Sequence, residues 1–251
     1  MTGELPRRAW VEQIMGLPIS LHVRGEDPAG EPVTRRVANV FADLRAADAA
    51  FSPYRDDSDL SRWERGEQAE YDRLAEVIEL CDEARERTDG WFDPRGLPDP
   101  RTGVPRYDPS GLVKGWAVER AGHHLADLAG YGWCLNAGGD VLVCAPDDQP
   151  AWRVGVEDPA EPTRIMAVVE RRSGAVATSG TAHRGAHIVD PHTGRPATDV
   201  RAVTVTGPEL LWADVYATAA VARGAIDWIK DPGYEALLVT RAGDLRTTAG
   251  W

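Results

Sequence analysis

The sequence predicts an α+β protein in which helices pack on largely antiparallel sheets. Four long segments repeat apolar residues at three- and four-residue intervals, which is the spacing of a helix with one buried face. Short apolar, β-branched runs bounded by glycine or proline lie between and after these segments, and this pattern is typical of strands joined by turns. No internal repeat or linker interrupts the chain, so a single domain is predicted over residues 1–251, with residues 1–9 as a flexible tail.

The composition limits the partners of the protein. Its 251 residues are 43% hydrophobic and 27% charged, as in ordinary soluble proteins. The formal net charge of −12 argues against binding to nucleic acid, and a bound polyanion would need a local lysine, arginine or metal ion. Three scattered cysteines form neither a disulfide framework nor a Cys-x-x-Cys metal site. Because no secretion signal, lipidation cysteine or membrane-length apolar run is present, a cytoplasmic protein without a membrane anchor is predicted.

The first part of the chain is predicted to hold a strand pair and two helices. Residues 10–23 indicate two strands that meet near Met15-Gly16. Helices are predicted over residues 33–51 and 71–87, and Ser58 is a candidate cap for a short turn between them. Residues 94–107 are rich in proline and glycine and are predicted to form a long irregular loop, a kind of segment that is often functional.

The centre of the chain, residues 108–121, is predicted to form a tight loop followed directly by a helix. The loop carries Asp108, Ser110 and Gly111, and Lys114 follows one turn into the helix. Unpaired N–H groups and the positive end of the helix dipole make such a place suitable for phosphate. A strand–turn–strand with Gly138-Gly139 at its bend follows. Each stretch alone is more often an ordinary turn, but their succession favours a functional site.

The last part of the chain is rich in predicted strands, at residues 152–156, 164–171, 174–178, 187–189 and 200–206, and ends in a hairpin over 237–248. A helix over residues 209–226 places Asp214 and Thr218 one turn apart on one face. A carboxylate and a hydroxyl are hard oxygen ligands that suit Mg²⁺. The competing interpretation, and the commoner one for an isolated pair, is a solvated helix face on which Thr218 bonds back to a main-chain carbonyl.

Other polar residues leave two interpretations open. His187 alternates with apolar residues near Asp190, so it is either a core histidine or a base. His183 and Arg184 lie in a glycine-flanked loop where they could meet a phosphate. Neither a P-loop nor a strand-bound Gly-x-Gly-x-x-Gly is present, so a nucleotide would be held by other means.

Nine segments together resemble the FAD:protein FMN transferases, also called the ApbE flavin transferases. No single segment is specific, but nine in the same order are, and they span nearly the whole chain. In order they are Met15-Gly16, Phe51-Ser52-Pro53-Tyr54-Arg55 with Ser58 and Ser61, Gly90-Trp91-Phe92-Asp93, residues 108–121, Asn136-Ala137-Gly138-Gly139-Asp140, residues 152–156, Ala177-Thr178-Ser179-Gly180, residues 187–194, and Ala213-Asp214 with Ala217-Thr218-Ala219.

The resemblance implies an enzyme that uses Mg²⁺, with Mn²⁺ as an alternative, and splits FAD at its pyrophosphate. It implies transfer of the FMN half to a Ser or Thr hydroxyl of an acceptor protein, release of AMP, and a two-lobed, T-fold-like α+β fold with FAD between the lobes. The implied metal ligands are Asp214, Thr218 and a backbone oxygen of the Gly111 loop. The implied catalytic residues are Lys114, Asp214 and His187, the last as the base. The implied FAD contacts are Met15, Tyr54, Trp91, Phe92, Asp93, Asp108, Lys114 and Ile188.

Three departures from the family pattern bear on these expectations. Many members carry a secretion signal and a lipid-attachment cysteine, whose absence here predicts an acceptor reached from the cytoplasm. Leu17 stands where Thr or Ser is common, and His183 stands where an aromatic residue is frequent. Two other functions fit the same residues: an FAD pyrophosphatase, in which water replaces the acceptor hydroxyl, and a flavin-binding protein without turnover.

Overall fold

The computed structural model describes residues 5–68, 72–98, 102–181, 185 and 188–251. The first part of the chain forms β1 (Arg7–Ile14), β2 (Leu17–Arg24), α1 (Glu31–Phe51), α2 (Asp59–Glu64), α3 (Leu74–Arg87), β3 (Leu97–Pro98), β4 (Pro105–Arg106) and α4 (Ser110–Gly122), followed by a 3₁₀ turn at His123–Leu125. The remainder forms β5 (Gly132–Ala137), β6 (Asp140–Cys144), β7 (Trp152–Asp158), β8 (Glu161–Arg171), β9 (Ser173–Gly180), β10 (Val189–Asp190), β11 (Arg195–Pro196), β12 (Val200–Gly207), α5 (Leu210–Arg223), β13 (Glu235–Thr240) and β14 (Leu245–Thr247).

An antiparallel sheet of eight strands runs through the described part of the chain. Its order is β1-β2-β5-β6-β9-β12-β13-β14, and β3–β4, β7–β8 and β10–β11 form separate two-stranded ribbons. The β2–β5 pair joins a strand that precedes the first four helices to a strand that follows them. The predicted α+β class with antiparallel sheets is therefore confirmed.

The helices pack where apolar periodicity predicted them. The buried face of α1 consists of Val33, Val37, Val40, Phe41, Leu44, Ala47, Ala50 and Phe51. Helix α4 contacts both α1 and α5, and α5 lies against β9 and β12. Because α5 is enclosed by strands on one side and by α4 on another, nearly its whole surface is buried.

Several boundaries differ from the predicted ones. The predicted tail over residues 1–9 is too long, because β1 begins at Arg7 and pairs with β2 from there onward. The strand lies at the sheet edge and exposes most of its side chains. Its first residues are therefore polar and lack the apolar pattern from which strands were predicted. Helix α5 ends at Arg223 rather than at residue 226, since Gly224 takes the left-handed conformation that ends helices. In the described part of the chain, no helix is long and apolar enough to cross a membrane.

Candidate active site

A cavity of about 910 Å³ lies where α4 and α5 meet the turn between β1 and β2. Its wall includes every predicted site residue that the structure describes. These are Met15, Tyr54, Trp91, Phe92, Asp93, Asp108, Gly111, Lys114, Ile188, Asp214 and Thr218. The predicted base His187, together with His183 and Arg184, lies outside the described residues. Small-molecule sites typically measure roughly 300–1,000 Å³, so the cavity has the size of a ligand site.

One ammonium group lies between two buried carboxylates at the inner end of the cavity. Lys114 forms an ion pair with Asp140, and its Nζ lies 3.4 Å from Oδ1 of Asp214. Asp140 is fully buried and Asp214 is 1% exposed. The other oxygen of Asp140 accepts a hydrogen bond of 3.0 Å from the main-chain N–H of Thr178. The three groups carry a formal net charge of −1, so the cluster attracts a further cation.

Asp214 is the least satisfied member of this cluster. Within the described residues, neither of its buried carboxylate oxygens accepts a well-formed hydrogen bond. Burial raises the pKa of Asp214, the nearby Lys114 lowers it, and the negative charge of Asp140 raises it again. A buried carboxylate with open acceptor positions is costly unless a proton or a cation neutralises it. The predicted alternative of a solvated helix face is therefore wrong for Asp214.

Oxygen atoms suited to a cation lie next to Asp214. The hydroxyl of Thr218 follows one turn later on α5 and lies 2.9 Å from the hydroxyl of Ser179. Gly111 approaches Thr218 closely, because a Cβ there would lie 3.6 Å from Thr218 Cγ2 and 3.1 Å from Phe92 Cε2. A carboxylate, a hydroxyl and adjacent main chain fit the ligand chemistry of Mg²⁺.

This oxygen set alone does not enclose an ion. Among the described residues, no group of three or more His, Cys, Asp or Glu side chains could hold a metal. A Mg²⁺ ion usually keeps several waters and takes substrate phosphates as ligands, so such a partial protein shell is sufficient. The residues present therefore fit a Mg²⁺ ion that binds together with a phosphate-containing substrate.

A glycine brings the two site helices into contact. A Cβ on Gly115 would lie 3.0 Å from the carbonyl oxygen of Leu210 and 3.1 Å from both Leu211 Cα and Asp214 Cβ. Only a residue without a side chain allows this approach without displacing the backbone of α5. Since Lys114 precedes Gly115, the close contact sets Lys114 beside Asp214.

Asp108 stabilises the loop before α4. Its Oδ1 accepts a hydrogen bond of 3.0 Å from the Ser110 N–H, and its Oδ2 accepts one of 3.0 Å from Arg106. Arg106 also donates to the carbonyl of Pro53 at 2.7 Å and lies 5.8 Å from the ring centre of Tyr54. Tyr54 is 61% exposed at the cavity rim, where its flat face is available to a ring system.

A second aromatic wall is formed by the segment after α3. Trp91 packs edge-on against His192, with ring centres 4.5 Å apart. The N–H of Phe92 donates to the Thr88 hydroxyl at 3.0 Å, and Asp93 pairs with Arg85 at 2.8 Å. These bonds hold the segment in place, so it presents a fixed surface to a ligand.

Asp140 and Ser179 were given no role in the sequence analysis, although both lie in the matched segments. Asp140 could have been noticed because it is a carboxylate at the first position of the otherwise apolar strand β6, where an unpaired charge would be costly. Ser179 lines the cavity and bonds to Thr218, and nothing in its local sequence indicated that contact.

Comparison with known proteins identifies the family and the fold of the chain. The model of the ApbE family matches residues 15–98 and 99–238. A protein of Rhodobacter capsulatus named FAD:protein FMN transferase is 34% identical over 131 residues, which cover 49% of this chain and 25% of that protein. A protein of the same name from Vibrio cholerae is 30% identical over 128 residues, 47% of this chain and 38% of that protein. The matches thus span well under half of these relatives.

The fold has solved counterparts as well. The crystal structure of the ApbE protein from Thermotoga maritima aligns over 98% of both chains with a TM-score of 0.82 and 22% identity, which shows a shared fold. The family model covers most of the present sequence, from the turn between β1 and β2 to β13. The chain therefore belongs to the ApbE family.

Proposed function

We propose that this protein transfers the FMN moiety of FAD to a Ser or Thr hydroxyl of an acceptor protein and releases AMP, in a reaction that depends on Mg²⁺ or Mn²⁺. The observation that carries the proposal is the cavity in which the buried Asp214, whose carboxylate accepts no well-formed hydrogen bond within the described residues, adjoins Thr218, Lys114 and the start of α4. The names of the relatives from Rhodobacter capsulatus and Vibrio cholerae support the activity.

We propose that Asp214, the Thr218 hydroxyl and a backbone oxygen of the Gly111 loop hold the metal ion. When bound, the ion supplies positive charge to the pyrophosphate and polarises its oxygens. The protein cluster of Lys114, Asp140 and Asp214 has a formal charge of −1, so it cannot attract a pyrophosphate without such an ion. Mg²⁺ thus provides the local cation that this acidic chain requires.

In the proposed reaction, the acceptor oxygen forms a bond to the phosphorus of the FMN half. The bond from that phosphorus to the bridging oxygen breaks, and AMP leaves with the bridging oxygen. The hydroxyl proton passes to His187, the base proposed from the family resemblance. Phosphoryl transfer depends mainly on positioning and on charge stabilisation. We assign the first role to the cavity wall that surrounds the ligand, and the second to Lys114 together with the bound metal ion.

The aromatic residues of the cavity are suited to hold the ring systems of FAD. Tyr54, Trp91 and Phe92 offer flat apolar surfaces, and Met15 and Ile188 add aliphatic contacts. The cavity wall also includes Asp93 and Asp108, which the resemblance implies as FAD contacts. Both carboxylates already bond to arginines of the chain, so we propose that they also shape the loops that enclose the ligand.

The proposal is tested with purified protein, FAD, Mg²⁺ and a Ser- or Thr-containing acceptor peptide, followed by chromatography. We expect AMP to appear together with a covalently flavinylated peptide. Asp214→Ala should lower AMP release by at least about a hundredfold, because several kcal/mol of charge stabilisation are lost. Asp127→Ala is the matched control, since that carboxylate is 85% exposed and is not part of the cavity wall.

Each other outcome has a defined meaning. AMP with only free FMN would replace the transferase by a pyrophosphatase. Bound FAD without AMP would leave a flavin-binding protein and remove the catalytic roles. Full activity of Asp214→Ala would reject the proposed metal ligands.

We further propose that the protein acts as a single domain on an acceptor in the cytoplasm. The cysteines Cys81, Cys134 and Cys144 are free thiols, as is usual in a reducing compartment. Cell fractionation followed by immunodetection tests the location, and recovery outside the cytoplasm would reject it.

A further inference from the structure

Glu119 of α4 bonds to the first turn of α5. Its carboxylate accepts a hydrogen bond of 2.9 Å from the main-chain N–H of Leu211. The first N–H groups of a helix have no partner within the helix, and the capping position of α5, Glu209, provides no side-chain hydrogen bond. Burial raises the pKa of Glu119, and the bond from Leu211 opposes that shift. The neighbouring helix thus supplies the acceptor that α5 lacks.

The same face of α4 carries the other contacts between the two helices. Gly115 lies one turn before Glu119 and is in close contact with the main chain of Leu210 and Leu211. The side chain of Lys114, next to Gly115, reaches to 3.4 Å from Asp214. Asp214 follows Leu211 by three residues, or roughly 4.5 Å of helix rise. A displacement of the first turn of α5 is therefore transmitted directly to Asp214.

We propose that Glu119 is a positioning residue that holds the first turn of α5 and thereby fixes Asp214 and Thr218 relative to Lys114. The inference rests on the proposed function, since it assigns Glu119 a part in arranging that site. Glu119 is not part of the cavity wall in the described residues, so it acts through α5 and not by contact with substrate. A purely structural role would change stability alone, and this difference makes the inference testable.

The experiment compares variants of Glu119 that change either the length of its side chain or its charge. Glu119→Asp keeps the charge but withdraws the carboxylate by one methylene, while Glu119→Gln keeps an acceptor at the same reach without charge. Glu209→Gln is the matched control, because it removes an exposed charge beside the same helix end without removing a capping bond. Thermal midpoint, kcat and KM for FAD, and the Mg²⁺ dependence of FAD affinity by flavin fluorescence are measured for each.

We expect Glu119→Asp to lower kcat by about tenfold to a hundredfold, the loss that misplacement of reacting groups by up to 1 Å produces. Its KM for FAD should change less than threefold. The Mg²⁺ concentration that produces half of the Mg²⁺-dependent increase in FAD affinity should be several times higher than for the parent protein. Glu119→Gln should restore kcat to within about threefold of the parent, and Glu209→Gln should match the parent.

A Glu119→Asp protein with a lowered thermal midpoint but parental kcat and Mg²⁺ dependence would overturn the inference. So would a Glu119→Gln protein as impaired as Glu119→Asp, since charge and not reach would then matter. If the parent protein releases no AMP, the proposed function fails by itself. The Mg²⁺ dependence of FAD affinity in the two variants then still decides whether Glu119 positions the site.

Discussion

Gly115→Ala is a direct test of the contact between α4 and α5. Alanine at an ordinary interior helix position is favoured over glycine by about 1 kcal/mol. Here the added Cβ would lie 3.0 Å from the Leu210 carbonyl oxygen and 3.1 Å from Leu211 Cα and Asp214 Cβ. None of these atoms can rotate away, and overpacking of this kind costs about 1–3 kcal/mol. The net loss of stability is roughly 0–2 kcal/mol, or a fall of up to about 8 °C in the thermal midpoint for a chain of this size.

We expect Gly115→Ala to lower kcat strongly even though its loss of thermal stability is small. Relief of the three contacts requires α5 to move away from α4 by a few tenths of an ångström, which shifts Asp214 from Lys114. We expect kcat for AMP release to fall about tenfold or more, because small misplacements of catalytic groups are costly. The assay is run well below the thermal midpoint of every variant, so that unfolding does not contribute.

The matched control is Gly122→Ala at the end of the same helix. A Cβ there would lie 2.8 Å from Leu142 Cδ2, the end of a flexible side chain, and Gly122 is not part of the cavity wall. We expect its thermal midpoint to change and its kcat to stay at the parental value. A Gly115→Ala protein with parental kcat, or with a raised thermal midpoint, would refute the reasoning.

Two further predictions concern other parts of the chain. In the folded protein at pH 8, a thiol reagent should not modify Cys81, which is fully buried and whose thiol pKa is raised by that burial to about 12. All cysteines should react in denaturant, and rapid labelling of Cys81 without denaturant would contradict its burial. Met15→Gly should leave the thermal midpoint nearly unchanged, since relief of its left-handed φ of 56° offsets the entropy cost of glycine. The Kd for FAD should rise about fivefold as roughly 1 kcal/mol of side-chain contact is lost, and an unchanged Kd would exclude Met15 from the binding surface.

The features that sequence predicted well depend on local patterns. Helix α1 shows its buried face in the spacing of its apolar residues, and Ser58 caps α2 by accepting from the Ser61 N–H, as its residue type indicated. For α5 the spacing placed Asp214 and Thr218 on one side of the helix. It could not say whether that side was buried, because almost every neighbouring residue is apolar and the pattern has no polar face.

The features that sequence missed depend on partners far along the chain. Glu119 bonds to Leu211 across 92 positions, and Asp140 bonds to Thr178 across 38. The α4–α5 contact brings Glu119 to Leu211, and the β6–β9 pair brings Asp140 to Thr178. Neither strand nor helix periodicity specifies which elements become neighbours. Residue type and local spacing therefore marked Lys114 and Asp214 as candidates, but they did not indicate that the two side chains lie together or that Asp140 joins them.

In the proposed function, the charge of the site predicts that the metal ion and FAD strengthen each other's binding. Lys114 is shared between Asp140 and Asp214, so its positive charge is already more than balanced before any phosphate arrives. Burial raises the pKa of Asp214, which means that a proton competes with a metal ion for its carboxylate. In the proposed function, a divalent ion in place of the proton would give the cluster a formal charge of +1, which would attract the pyrophosphate. Because coupling between two ligands is reciprocal, we expect FAD to strengthen metal binding by the same factor, which would let an acidic protein hold an anionic substrate without a basic surface.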